Sequence, residues 1–219
     1  MNTGAATSLL AEIFASSGNA LTVRIEPSRG DPVVGDSMEL ELPQGASIEL
    51  GLGEISPGYV RVTTGPAVGG VAVFSFLVDP GDRGPLQTLF DSGVPSSSPI
   101  RDFSLSVQVV SGVSDTGVAI VNVGSNGGQS PSTAQNQVTL SLYDQNFELV
   151  GTAEVSLDTG QHLPRFASDF FPALQGEEIN FKGSMTVSSN QPLVAVTLRQ
   201  TTVPTLTALP VLPGRADQE

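Results

Sequence analysis

Apolar and polar residues alternate with a period of two in short segments along most of the chain. Leu21, Val23 and Ile25, for example, alternate with the polar residues Thr22 and Arg24. Successive side chains of a β-strand point to opposite faces, so this pattern places one face on a core and the other in water, as in antiparallel sheets. Gly, Pro, Asn or Asp bounds each segment. The pattern predicts strands over residues 21–25, 38–42, 59–63, 71–77, 103–109, 118–123, 138–142, 153–157, 185–187 and 194–198.

One short helix is predicted within this strand-rich pattern, at Ser168–Leu174. Ser168 or Asp169 would serve as its N-cap, and Pro172 would limit its length. The expected fold class is therefore all-β.

The two halves of the chain resemble copies of one unit. Glu39–Gly45 matches Glu154–Gly160, and Gly58–Val62 aligns with Gly183–Val187. The order of the segments and their alternation persist, as in tandem repeats. We therefore expect two tandem antiparallel β-sandwich domains, residues 1–98 and 99–219, joined near the Ser-, Pro- and Gly-rich stretch Asp91–Ser98.

The first copy lacks a counterpart of the strand that opens the second. Asp102–Val110 precedes the aligned part of the second copy, whereas the first copy has only Met1 to Ala6 there. A sandwich without one strand has an open edge and an uncovered strip of core, which a strand of another chain can fill. The alternatives are a vacant edge or a sequence that begins within a longer domain.

Two terminal segments are apolar enough to be the donated strand, Ser8–Phe14 and Leu206–Leu212. Pro204, Pro210 and Pro213 flank or interrupt the second segment and limit its self-pairing. The candidate donor residues are Leu9, Leu10, Ile13 and Phe14 near one end and Leu206, Leu209, Val211 and Leu212 near the other.

The composition of the chain limits its cellular location and the classes of molecule it can bind. The chain has 22 acidic and 9 basic residues and a net charge of -13, which disfavours binding to nucleic acid or to anionic lipids. No segment reaches the roughly 18 apolar residues of a membrane span, and Glu12 interrupts the one apolar run near the start. The chain is either cytosolic or a mature secreted protein. A single lysine and many Ser, Thr and Gly residues favour an extracellular or cell-surface location.

The sequence contains few residues or motifs that would indicate an enzyme. Asp-Thr-Gly, the aspartic-protease triplet, occurs at Asp115–Gly117 and Asp158–Gly160, but both copies lie in the second half at different places of the repeat, so both are interpreted as turns. His162, the only histidine, has no Gly-x-Ser-x-Gly motif to accompany it and is interpreted as structural, on a strand that continues to Phe166. No catalytic residue, metal or cofactor is expected, and the chain is predicted not to be an enzyme.

Two loops leave binding alternatives open. Asp79–Asp82 offers carboxylate and carbonyl oxygens to Ca²⁺, although it lacks the spacing of an EF-hand. The polar loop Gly124–Gln137 could carry O-glycans or bind a ligand, a flexible hairpin connection being the default.

The second half carries motifs that resemble a known repeat. They are Asp115–Asn122, Gly160–Phe166, Phe181–Ser184, Pro192–Arg199 and Thr207–Val211, and the first half matches more loosely through Val71–Phe74 and Gly93–Pro95. They are similar to an uncharacterised immunoglobulin-like β-sandwich repeat family of secreted and surface bacterial proteins. The resemblance implies an immunoglobulin-like fold, an extracellular setting and no catalytic residues.

The expected function is a non-enzymatic extracellular structural module, a self-assembling subunit of a surface fibre or stalk joined head-to-tail by strand donation. Its partners would be copies of itself. The alternative is an adhesin or carbohydrate-binding module of a larger secreted protein, with glycans as partners.

Overall fold

The computed structural model describes residues 1–52, 58–65, 68–78, 87–124, 135–202 and 205–214, with the backbone alone at 74–78 and 87–91. The paired strands in these ranges are antiparallel, which confirms the predicted all-β class. The chain divides into two compact units, Met1–Gly70 with Gly160–His162 and Val71–Thr159 with Leu163–Glu219. The acidic loop 79–82 and residues 125–134 of the polar loop lie outside the described residues.

Unit 1 contains two three-stranded sheets. Its strands are β1 (Thr7–Ala15), β2 (Val23–Pro27), β3 (Val33–Gly35), β4 (Ser37–Leu42), β5 (Leu50–Leu52) and β6 (Gly58–Thr64). One sheet has the order β4-β1-β6 and the other β3-β2-β5, so β1 and β2 are the central strands. Period-2 alternation buries every second residue of β1, and the core of the unit is small. Its buried hydrophobic residues are Leu9, Ala11, Ile13, Val23, Ile25 and Leu42.

A buried asparagine near the start of unit 1 supplements this small core. Asn2 is fully buried, and its side-chain amide donates to the carbonyl oxygens of Leu42 at 2.9 Å and Ala5 at 2.7 Å. The Asn2 side-chain oxygen accepts from the Gly4 backbone N–H at 2.9 Å. Because these polar groups are all paired, the burial of the amide is compatible with stability.

Unit 2 contains the remaining strands, except that one of them begins at His162 of unit 1, and the helical turns found in the described residues. The strands are β7 (Val71–Val78), β8 (Gln87–Pro95), β9 (Ile100–Val110), β10 (Ser114–Asn122), β11 (Asn136–Asp144), β12 (Leu149–Leu157), β13 (His162–Phe166), β14 (Asn180–Thr201), β15 (Thr205–Leu209) and β16 (Val211–Pro213). Strands β7 and β8 form a two-stranded sheet of their own. The units thus divide at Gly70, whereas the repeat places the junction near residue 98, and β8 occupies part of the stretch that was expected to be a linker.

The long strand β14 is shared by two groups of strands. Its first part, Asn180–Ser189, pairs with β9 and β11, and its second part, Leu193–Thr201, pairs with β10 and β15. Side chains from both groups form one large core, an arrangement compatible with a β-sandwich. Sequence alternation predicts two separate strands here, and the structure instead joins them.

The side chain of Asn136 holds β14 where it passes from one group to the other. Its amide nitrogen donates to the Gln191 carbonyl oxygen at 3.0 Å, and its amide oxygen accepts from the Gln191 backbone N–H at 3.0 Å. Asn122, also fully buried, donates to the Leu157 carbonyl oxygen at 3.0 Å and accepts from the Gly124 N–H at 3.0 Å. The two amides therefore satisfy backbone groups at Gln191, Leu157 and Gly124.

The predicted short helix is present as two consecutive turns, α1 (Ala167–Phe170) and a 3-10 turn (Pro172–Leu174). The predicted cap residue is wrong, since Phe166 holds the N-cap position. The Asp169 carboxylate accepts from the Phe166 backbone N–H at 3.0 Å, so it caps the turn from its third position.

Candidate functional site

The edge strand β6 of unit 1 carries apolar side chains on its core-side face. In the register of β1 and β6, Val60 lies opposite Ile13 and Val62 lies opposite Ala11. Ile13 and Ala11 are buried, at 2% exposure each, whereas Val60 is 42% and Val62 51% exposed. Residues directly opposite one another share a face of the sheet, so the two valines continue the core face beyond its covered part. We call Val60 and Val62 the open valine face.

The other face of the same strand pair is held by interlocking charged and aromatic groups. Arg61 Nε and Nη2 each donate to one Glu12 carboxylate oxygen at 2.8 Å, a bidentate pair that raises the pKa of Arg61. The Arg61 guanidinium lies 5.0 Å from the ring centre of Phe14, which stacks on Tyr59 at 5.0 Å. Burial raises the pKa of Tyr59. These contacts fix β6 against β1 and keep the open valine face in a defined orientation.

The predicted donor residues pair with strands of their own chain. Strand β1, which carries Leu9, Leu10, Ile13 and Phe14, is the central strand of its sheet. The predicted C-terminal strand is divided in two at Pro210. Its first part, β15 with Leu206 and Leu209, pairs with β14, and its second part, β16 with Val211 and Leu212, pairs with β9. A donor role for either segment would therefore require that it first leave its own sheet.

His162 lies in the part of the chain that belongs to unit 1. Its Nδ1 atom is 3.1 Å from the Ser16 hydroxyl, its backbone N–H donates to the Ser16 carbonyl oxygen at 2.9 Å, and its ring meets Tyr59 edge-on at 6.2 Å. Burial lowers the pKa of the imidazole below its usual 6.5. These contacts give His162 a packing role, and the strand from His162 to Phe166 is present as predicted.

The lowered pKa of His162 predicts that stability falls with acidification. At pH values between the lowered pKa of His162 in the folded chain and its usual pKa of 6.5, the unfolded chain binds more protons than the folded chain. The free energy of unfolding therefore rises with pH in this window, and the contribution of His162 to stability is lost as the pH falls through it. We expect urea unfolding, followed by circular dichroism, to give a lower midpoint at pH 5.5 than at pH 7.5. His162→Gln should reduce this difference, and an equal difference in both proteins would contradict the assignment.

The two Asp-Thr-Gly triplets occupy different structural positions. Asp158–Gly160 follows β12 as a turn, with Gly160 at φ +82°, as expected. The turn prediction for Asp115–Gly117 is wrong, because these residues lie within β10 and pair with β14. The Asp115 carboxylate accepts from the Ser168 hydroxyl at 2.5 Å and links β10 to α1. Burial raises the pKa of Asp115, and the hydrogen bond from Ser168 opposes that shift.

A hairpin turn of unit 2 exposes a phenylalanine in a backbone conformation that favours glycine. The turn joins β11 to β12, and the Asp144 carboxylate accepts from the backbone N–H groups of Asn146 at 2.8 Å and Glu148 at 2.9 Å. These hydrogen bonds, that from Glu148 first, lower the pKa of Asp144. Phe147 has φ +63° and is 84% exposed. A left-handed residue at this point of a short hairpin is usually Gly or Asn.

Phe147 borders a groove of about 420 Å³ that also receives two basic side chains, Lys182 and Arg199. Lys182 is exposed on β14. Arg199 follows the buried residues Ala195 and Thr197 of the same strand at intervals of two, so it continues their core-side series at the end of the strand. We name this feature the Phe147 groove. Its neutral polar lining includes Ser106, Gln108, Gln145 and Ser184.

Backbone packing shapes the floor of the Phe147 groove. Gly183 lies between Lys182 and Ser184, and a Cβ atom there would collide with the Tyr143 carbonyl oxygen. The Thr116 hydroxyl accepts from the Gln108 backbone N–H at 2.9 Å and donates to the Gln108 carbonyl oxygen at 3.1 Å, which ties β10 to β9. The floor is thus rigid, and the variable elements of the groove are its long side chains.

The described residues hold neither a membrane-spanning helix nor a metal-binding cluster. They contain no helix that is long and apolar enough to cross a membrane. Within the same ranges, no three acidic or histidine side chains are grouped so that they could hold a metal ion.

Comparisons with known proteins do not assign a family. Neither the models of protein families nor the curated proteins give a match. Among solved structures, the chain is similar to the Anabaena sensory rhodopsin transducer at 19% identity, over 48% of this chain and 98% of that one, with a TM-score of 0.33. It is also similar to the VP2 subviral particle of infectious bursal disease virus at 13% identity, over 89% of this chain and 55% of that one, with a TM-score of 0.22. Neither likeness is close enough to carry an argument about function.

Proposed function

We propose that this chain is a non-enzymatic structural module that acts outside the cell and associates with copies of itself. Its two units would be tandem immunoglobulin-like sandwiches, the first of them incomplete. The open valine face is the observation that supports the proposal. Two half-exposed apolar side chains that continue the core face on an edge strand offer a surface that a strand of another chain can pack against.

The geometry favours direct pairing at the edge of β6 over donation of a terminal strand. In the described residues β6 pairs with β1 on one side and ends its sheet on the other, so its outer backbone groups are oriented toward an additional strand. The predicted donors β1, β15 and β16 already pair within their own chain. Pairing of β6 with a second copy requires no strand to leave its sheet and places side chains of the added strand beside Val60 and Val62.

The free energy of pairing at the edge of β6 is small, so the contact would be reversible. Covering two half-exposed valines contributes about 1 kcal/mol each, and the main-chain hydrogen bonds add a similar amount per bond. Because association costs several kcal/mol in lost freedom, one such edge gives weak pairing. A linear series of such contacts would give oligomers whose length grows with protein concentration.

Charges placed on the open valine face should prevent self-association. We expect the intact protein to form larger species with rising concentration in analytical ultracentrifugation, and the double variant Val60→Lys, Val62→Lys to remain monomeric. A lysine on an edge strand resists pairing and cannot be buried there without cost.

Val34→Lys provides the matched control, since Val34 is a 70% exposed valine on a different strand, β3. It should associate as the intact protein does. A strictly monomeric intact protein, or equal association of the double variant, would refute the proposal. Circular dichroism of each variant verifies that the strands are retained.

The alternative expectation, a carbohydrate-binding module, is favoured by a separate observation, the Phe147 groove of unit 2. This groove is open to solvent, and an aromatic ring, two basic side chains and several neutral polar side chains line it.

A further inference from the structure

We propose that the Phe147 groove binds a saccharide that carries a carboxylate, such as an oligomer of a hexuronic acid. The inference does not depend on self-association, because every residue of the groove belongs to unit 2. Three properties of the groove carry it: the exposed ring, the pair of basic side chains, and the neutral polar lining.

The ring is the first property. A bulky residue in the left-handed region is strained, and glycine would form the same turn without that strain. The strain at Phe147 brings no packing in return, since the side chain is 84% exposed. Strained exposed residues of this kind cluster at binding sites. The Asp144 hydrogen bonds hold the backbone of the turn, which places Phe147 beside the groove.

The basic pair is the second property. Lys182 is the only lysine of a chain with a net charge of -13, and it lies in the same groove as Arg199. Arg199 Nε is buried and has no hydrogen-bond partner among the described residues. Arg199 as a whole is partly exposed and lines the groove, so a carboxylate bound there would meet its positive charge together with that of the Lys182 ammonium. Asp144, the acidic residue of the lining, already accepts hydrogen bonds within its own turn.

The neutral lining is the third property and selects the class of ligand. The hydroxyls of Ser106 and Ser184 and the amides of Gln108 and Gln145 can each both donate and accept, which matches the hydroxyls of a sugar. The C–H face of a pyranose ring can pack on the Phe147 ring. Densely charged polyanions are disfavoured because the chain as a whole is acidic, whereas isolated carboxylates meet a local positive charge.

The test is a calorimetric titration of the full chain with trigalacturonate, triglucuronate and the neutral trisaccharide galactotriose, at low and at moderate salt. We expect at least one of the two uronates to bind, with an affinity that falls as salt rises, and to bind about tenfold more tightly than galactotriose, the value of one charge-assisted hydrogen bond. The monomeric double variant of the open valine face should bind equally well, which separates this result from that of the proposed function.

Three variants of the groove sharpen the test. Phe147→Gly should weaken binding about tenfold while it raises the melting temperature by a few degrees, because glycine removes the backbone strain. Lys182→Gln should weaken binding about threefold, and Arg199→Gln about tenfold with a melting temperature that verifies its fold. Arg101→Gln, an exposed charge of unit 2 outside the groove, is the matched control and should have no effect.

Several outcomes would overturn the proposal. They are absence of binding to either uronate, equal binding of galactotriose, unchanged binding in the Phe147→Gly and Lys182→Gln variants, and an equal loss in Arg101→Gln. Binding of triglutamate as tight as that of the uronates would instead assign the groove to acidic peptides.

Discussion

Replacement of Phe171 by alanine is expected to lower the free energy of unfolding of unit 2 by about 3–5 kcal/mol. Phe171 is 1% exposed and is the largest fully buried side chain among the described residues. It belongs to the core that the two strand groups of β14 share, and its Cδ1 lies within van der Waals reach of a Cβ placed on Gly151. Removal of the ring leaves a cavity that a rigid sheet fills only in part.

The measurement is urea unfolding followed by circular dichroism, with Phe147→Ala as the matched control. Phe147 lies in the same unit and is 84% exposed, so its truncation should change the free energy of unfolding by less than about 0.5 kcal/mol. Similar losses in the two variants would mean that Phe171 is not part of a close-packed core.

The second large effect concerns Asn136, whose replacement by alanine should cost about 2–4 kcal/mol. The substitution removes two hydrogen bonds and leaves the N–H and C=O of Gln191 without these partners in a buried place. Asn122 also loses a contact, since its side-chain oxygen lies 3.4 Å from the Asn136 amide nitrogen. The loss should therefore exceed that of an ordinary surface hydrogen bond.

Gln137→Ala is the control for Asn136→Ala. Gln137 is the next residue of β11, points to the opposite face and accepts a hydrogen bond from Ser156 at 2.9 Å in an exposed position. Its replacement should cost less than about 1 kcal/mol. Hydrogen exchange of the Gln191 amide gives a local readout, and unchanged protection in Asn136→Ala would contradict the role assigned to that side chain.

The strands were predictable because alternation is a local property. Most predicted segments correspond to a strand of the structure within a few residues at their ends, but 185–187 and 194–198 belong to one strand, β14, and Leu206–Leu212 is divided into two. The continuity of β14 was not predictable, since Ser188–Gln191 interrupts the alternation and the chain continues as a strand only with the help of Asn136. The Asn136 side chain of β11 provides the hydrogen bonds to the Gln191 backbone, and the sequence near Gln191 gives no sign of them.

The candidate sites were less accessible to sequence reasoning. Val60 and Val62 have the pattern of core residues, and their exposure depends on how far the opposite sheet extends. Lys182 and Phe147 are distant in sequence and meet only through the pairing of β11 with β14. The available signals were weak: a lone lysine in an acidic chain, and a phenylalanine in a turn position that favours glycine.

The sharing of β14 between two groups of strands has a mechanical consequence. Tension along β14 would act on the ladders to β9 and β11 and on those to β10 and β15, which lie one after the other on the same strand. Those hydrogen bonds run across the strand, so a pull along it loads many of them in shear at once, rather than opening them singly from one end. If the chain is a link of a stalk or fibre, as proposed above, this arrangement would resist a load carried along β14.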